Sequence, residues 1–318
     1  MVDLVAFGVI LDDLVFPDGR TAMGVLGGGG PQTAFGMRLP ALAGWAPAPY
    51  SVGLVSGVGP DLPQAAWKWL ESAGIDLTGL RRGTLPTARA WQIMEHGEKR
   101  TQLFRVPGPI AAEQLGRSIQ HLPESYRQAR GYHLGVHPEE PDLAFLTELR
   151  GPGRAQAESP MVSVEPFKPA DHPLDDHALG ALCSASDIFS PNLHEARSLA
   201  GDGAPNELAR RFCQAGARVA AVRLGQEGSL IYDGRSSLVV PAAAAPLIDP
   251  TGAGNAYCGA FLAVYLQTGD IRRAGLCASV AASLLVQQIG LPPITAALGK
   301  EARRRLSLLE SDSRISQT

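Results

Sequence analysis

The spacing of hydrophobic residues changes along this chain, and the changes mark its elements. Residues 2–10 form an apolar, β-branched run with the pattern of a strand buried on both faces. Residues 50–55, 131–136, 161–164 and 188–189 repeat it in shorter form. Helical spacing takes over at residues 62–73, which carry Trp67, Trp69 and Leu70 and stop at Gly74, and again at 142–149 and 195–199. Residues 218–224, 229–232 and 237–240 are strands joined by glycine turns, and two long apolar helices follow at 256–266 and 271–289. Strands alternating with helices predict a parallel sheet covered by helices.

Two stretches break this alternation. Residues 88–105 alternate apolar and polar around the turn His96-Gly97-Glu98, and residues 14–25 are hairpin-like. Together they predict a small accessory sheet, with pieces near 11–25 and 85–106 placed as a lid on one domain over residues 1–300. A C-terminal tail is expected at 301–318, frayed after Glu310. Residues 24–31 form a glycine loop that opens a helix at 32–39, while 151–160 and 169–176 are polar surface loops.

Charge and cysteine usage narrow the class. A net charge of −3 gives no global attraction to nucleic acid or an anionic membrane. Cys183, Cys213, Cys258 and Cys277 are far apart and form no C-x-x-C pair, so a reduced, cytoplasmic protein is expected. Asp3, Asp12 and Asp13 interrupt the first apolar run, which reads as a strand and not a secretion signal. Residues 274–299 carry no charge, but Gln287, Gln288, Gly290, Pro292 and Pro293 break the run into a buried helix and a loop. Walker-type, dinucleotide and H-E-x-x-H patterns are absent. His133 and His137 follow a strand, where four-residue spacing does not hold a metal pair as it would on a helix.

The most informative stretch is Asp249-Pro250-Thr251-Gly252-Ala253-Gly254-Asn255 and the apolar run after it. Small residues let the backbone bend tightly, and the following helix adds unpaired amides and the positive end of its dipole. Such a turn holds an anion, most often a phosphate.

These residues resemble the C-terminal signature of the pfkB/ribokinase carbohydrate kinases, Asp-x-Thr-Gly-Ala-Gly-x-Ala. Gly27 to Ala34 resembles that family's N-terminal glycine signature. Four further matches fall in family order: Gly8 with Asp13, Val55 to Asp61, Asn192 to Glu195, and Leu224 to Gly228. The resemblance implies an α/β, ribokinase-like three-layer α/β/α sandwich with a small β lid. It implies transfer of the ATP γ-phosphoryl to a hydroxyl of a sugar or nucleoside, with Mg²⁺, in a monomer or a homodimer formed through the lid. Carried over by position, Asp13, Gly28, Gly29 and Gln32 bind substrate, Gln32 standing where an asparagine is usual. Asn192, Arg223, Gly225 and Gly228 serve the nucleotide, Arg223 standing where a threonine is common. Glu195 acts on Mg²⁺ through water, Gly252, Ala253 and Gly254 form the anion hole, and Asp249 and Thr251 sit where some members bind a monovalent cation. Glu165 lies near a usual aspartate.

Asn255 departs from the pattern, because the family's catalytic base at this position is an aspartate. An amide cannot accept the substrate proton and keep it. General base catalysis contributes about 10²–10⁴-fold, while positioning and charge stabilisation carry much of phosphoryl transfer. Three functions stay open: a slow kinase, with Asn255 holding the hydroxyl; a silent member that binds nucleotide or sugar and acts through a partner; and, more remotely, a phosphate-binding module with no kinase past.

Overall fold

Gly8 decides how the chain begins. The apolar run at residues 2–10 is not one strand: at Gly8 the backbone takes φ +90°, a conformation that side chains other than hydrogen rarely allow. Its amide donates to the Val55 carbonyl, and its carbonyl accepts from the Gly30 amide. The chain therefore leaves a large sheet after β1 (Leu4–Phe7) and enters a second, small sheet as β2 (Ile10–Val15).

The computed structural model describes residues 1–95, 100–151, 159–312 and 315–317. After β2 come β3 (Thr21–Gly27), α1 (Gly30–Ala43), β4 (Val52–Val58), α2 (Gln64–Ser72), β5 (Leu80–Arg82), β6 (Arg89–Met94), β7 (Arg100–Phe104) and α3 (Gly108–Leu115). The middle of the chain supplies β8 (Gly131–Val136), α4 (Leu143–Arg150), β9 (Met161–Pro166), α5 (Asp176–Ser184), β10 (Ile188–Phe189), α6 (Leu193–Ala200) and α7 (Pro205–Gln214). Last come β11 (Val219–Arg223), β12 (Ser229–Tyr232), β13 (Ser237–Val240), α8 (Ala253–Thr268), α9 (Ile271–Leu285), α10 (Ala296–Glu310) and β14 (Ser316–Gln317).

The large sheet has the order β14-β13-β12-β11-β10-β9-β8-β1-β4-β5. It is parallel from β11 to β5, and β12, β13 and β14 join it antiparallel. Alternation along β1 shows why both faces are covered. Leu4 and Ala6 enter a cluster that includes side chains of α1, α8, α9 and α10, while Val5 and Phe7 enter one that includes side chains of α4, α5, α6 and α7. The result is three layers, α/β/α. The accessory sheet, β3-β2-β6-β7, lies outside this stack as the sequence pattern anticipates. The turn expected at residues 96–98 and most of the loop at 151–160 lie outside the described residues.

One expectation needs correction. Residues 301–310 are not tail but part of α10, with Ala302, Leu306 and Leu309 buried in the larger cluster. Residues 316–317 then pair with β13. Arg305, also buried, donates to Ser283 O, Ser283 Oγ and Gln287 Oε1, so a guanidinium disguised this face as surface. Among the described residues, no helix is long and apolar enough to cross a membrane.

Candidate active site

Two helices begin at glycine turns and lie against each other. Gly29 caps α1 at φ +85°, and Gly252 caps α8 in the left-handed region at φ +78°. Backbone meets backbone between them: a Cβ on Gly36 would fall 2.1 Å from Ala256 O, and one on Gly259 would fall 2.1 Å from Thr33 O. This contact brings the helix starts together. A Cβ on Gly29 would fall 2.9 Å from Asn255 Nδ2, and one on Gly252 would meet Gln32 Cγ at 2.3 Å. The two glycine signatures, more than two hundred positions apart in sequence, therefore meet at one place. α8 brings its first-turn amides and its dipole's positive end to this point, whereas on α1 the Gly30 amide is taken by Gly8 O and Pro31 has none.

Beside it lies a buried network of charge. Glu165, at the end of β9, accepts a hydrogen bond from Asn255 Nδ2 and pairs with Arg223, Nη2 to Oε2 being 2.9 Å. The same guanidinium nitrogen is 3.4 Å from Glu195 Oε2. His133 Nε2 is 3.3 Å from Glu165 Oε1, and its Nδ1 meets Ser163 Oγ at 2.9 Å. Cys258 Sγ donates to Glu165 Oε2 across 3.7 Å. A Cβ on Gly254 would fall 1.5 Å from Arg223 Nη1, so only glycine leaves room for this guanidinium in the first turn of α8.

The two acids of the network differ in charge state. Burial would raise the Glu165 carboxyl, but Arg223 and then His133 outweigh it and hold it below the usual carboxylate range. Burial dominates at Glu195 and pushes it up to about 7, against the pull of Arg223. Burial also raises the Cys258 thiol, so it stays protonated. His133, Glu165 and Cys258 bring three ligand atoms within 4.8 Å of one another. Arg223 already supplies positive charge there.

The lid contributes a second acid pair, and here the strand's alternation matters. Asp13 accepts from Arg89 Nε and Nη2, both at 2.8 Å, from the Gly24 amide at 2.8 Å, and from Arg105. These partners outweigh burial and hold Asp13 at about 2. Asp12 points the other way. A Cβ on Gly27 would overlap its Oδ2, it accepts from Gln92 Nε2 at 2.7 Å, and burial pushes it up to about 6. The five-residue spacing from Gly8 singles out Asp13 for substrate, yet its oxygens are held by two arginines. Asp12 is the acid against the glycine loop.

Comparison with known proteins identifies the class. The profile of the pfkB family carbohydrate kinases matches residues 41–295. The chain belongs to the pfkB family. It is 32% identical over 273 residues to the cytidine kinase of Thermococcus kodakarensis, covering 83% of this chain and 89% of that protein. The fold matches the nucleoside kinase of Methanocaldococcus jannaschii, an archaeal member of the ribokinase family, with a TM-score of 0.67 at 21% identity over 97% of this chain and 99% of that one. It also matches a putative ribokinase II from E. coli in complex with ATP and Mg²⁺, with a TM-score of 0.70 at 19% identity over 96% and 100% of the two chains.

Several of the residues singled out in the sequence meet at one place. Gly28, Gly29, Gln32, Gly252, Ala253, Gly254 and Asn255 surround the meeting point of α1 and α8. Asn192 caps α6, where Glu195 completes a capping box, and bridges to Arg223. Gly225 and Gly228 shape the turn from β11 to β12, where a Cβ on Gly228 would strike Val240 O at 2.0 Å. Asp249 accepts the Thr251 amide just before the anion turn. Arg223 pairs across the sheet with Glu165 and Glu195, not with its neighbour Glu227. Sequence spacing gave no role to His133, Cys258 or Asp12. That Glu165 stands against the first turn of α8, beside Asn255, is visible only in three dimensions.

Glu195 does not fit an ion-binding role. It is buried, its Oε2 accepts the Asn192 amide and faces Arg223, and burial favours its protonated form.

Proposed function

We propose that this pfkB-family protein transfers the γ-phosphoryl of ATP to a hydroxyl of a ribose-bearing nucleoside or a related sugar. The observation that carries the reading is the meeting of the α1 and α8 starts, with Asn255 against Gly29 and Arg223 against Gly254. The cytidine kinase relative supports a nucleoside as acceptor.

The α8 turn, with the Arg223 guanidinium, stabilises charge on the transferring phosphoryl. Asp12 and the Gly28–Gly29 backbone orient the acceptor. The acceptor oxygen's lone pair forms the new O–P bond while the bond from γ-phosphorus to the β-phosphate oxygen breaks, its electron pair leaving with ADP. Asn255 Oδ1 accepts a hydrogen bond from the reacting hydroxyl. The hydroxyl proton passes to an oxygen of the transferred phosphoryl and then to water, which suits the loose transition state of this chemistry. Asp249 and Thr251 would hold a monovalent cation behind the turn: Asp249 is buried, and the buried Thr251 Oγ1 has no hydrogen-bond partner.

ADP release with ATP and a panel of cytidine, uridine, adenosine, ribose and fructose tests the reading. Release that depends on one of these acceptors is expected. ATP binding seen as a thermal shift, with no acceptor-dependent release, favours a silent nucleotide binder instead.

A further inference from the structure

One carboxylate beside the first turn of α8 comes not from α8 but from β9. Glu165 is buried, and two of its contacts reach groups at the start of α8: Asn255 Nδ2, and Arg223 Nη2, whose guanidinium stands against Gly254. We propose that Glu165 is a positioning residue for phosphoryl transfer, setting which end of the Asn255 amide faces the acceptor and where the Arg223 guanidinium stands. This rests on the kinase reading above.

The first half follows from hydrogen-bond polarity. An ionised carboxylate only accepts, so the Asn255 amide must turn Nδ2 toward Glu165. Its Oδ1 is then left as an acceptor for a hydroxyl. A reversed amide would set oxygen against oxygen in a buried site, at the cost of an unmade hydrogen bond. The second half follows from charge. Arg223 reaches the Gly254 backbone with Glu165, 2.9 Å away, compensating its charge in a largely buried place. The same ion pair keeps Glu165 a poor proton acceptor, so it acts through Asn255 and Arg223 and not as the base. His133, braced by Ser163, and the protonated Cys258 fill its remaining acceptor sites.

The contact predicts a reciprocal exchange. Asn255→Asp alone sets two carboxylates against each other. Glu165→Gln alone leaves Arg223 with only Glu195. Asn255→Asp with Glu165→Gln reverses the polarity of one hydrogen bond and leaves the number of carboxylates in the cluster unchanged.

The test uses the full chain and these three variants, measuring melting temperature without ligand, and kcat and KM with ATP and the acceptor that wild type turns over. Each single change is expected to lower Tm by roughly 5 °C and kcat at least tenfold, with the KM for ATP within about threefold. The double variant is expected to recover Tm and to exceed both single variants in kcat. A merely structural role predicts no such rescue of kcat. Additive losses in Tm and kcat in the double variant overturn the proposal while leaving the kinase reading intact. A wild-type protein that turns over no acceptor overturns the kinase reading, and the proposal with it. Loss of Tm without loss of kcat in Glu165→Gln also overturns the proposal.

Discussion

Glu195→Gln isolates the cost of burying an acid beside Arg223. Burial pushes Glu195 from 4.5 up to about 7. A raised pKa means the folded state binds the proton more tightly than the unfolded state. The contribution is therefore fully favourable below about pH 4.5 and is lost as pH rises toward 7. A tenfold change in proton affinity corresponds to about 1.4 kcal/mol, so ionising Glu195 in place removes about 3 kcal/mol of stability above pH 7. Glutamine cannot ionise, and its side-chain oxygen still accepts the Asn192 amide of the capping box. Between pH 5 and pH 8 the variant should gain about 2 to 3 kcal/mol relative to wild type. Urea denaturation of both proteins across this range gives the difference directly. Parallel stability curves for the two proteins would refute the reasoning, because they would mean that Glu195 ionises no differently folded than unfolded.

Other substitutions probe separate parts of the site. Gly254→Ala places a methyl where Arg223 Nη1 stands; turnover should fall on the order of 10²-fold, with melting temperature recorded alongside to separate misfolding from loss of the guanidinium. Asp12→Asn should raise the acceptor KM at least tenfold, whereas Asp13→Asn should mainly lower Tm by unpairing Arg89 and Arg105; the reverse pattern in steady-state kinetics would restore Asp13 as the substrate acid. Leu309→Ala should cost about 2–4 kcal/mol in chemical denaturation, as a core residue would, and a cost near zero would return α10 to the status of a tail.

Much of this arrangement was legible in the chain because short-range chemistry fixed it. Gly28, Gly29, Gly252 and Gly254 announce close backbone approach, and the approach is what the meeting of α1 and α8 is made from. Strand and helix periods gave the layered sheet and its accessory hairpins. Periodicity could not show that residues 2–10 divide at Gly8, since a buried strand and a strand crossing into a lid are equally apolar. Nor could it separate Asp12 from Asp13, whose roles depend on which face of β2 meets Arg89 and Arg105. Read as one more departure from a pattern, Asn255 is a lost base. In the fold it is half of an amide–carboxylate pair whose other half, Glu165, lies 90 positions earlier.

The most direct measurement is ³¹P NMR of wild-type protein with ATP and cytidine, followed through turnover. The meeting of the α1 and α8 starts predicts a new phosphomonoester resonance that rises in step with ADP and needs both substrates. ATP that stays intact, or that yields only inorganic phosphate at the same rate with and without acceptor, would contradict it.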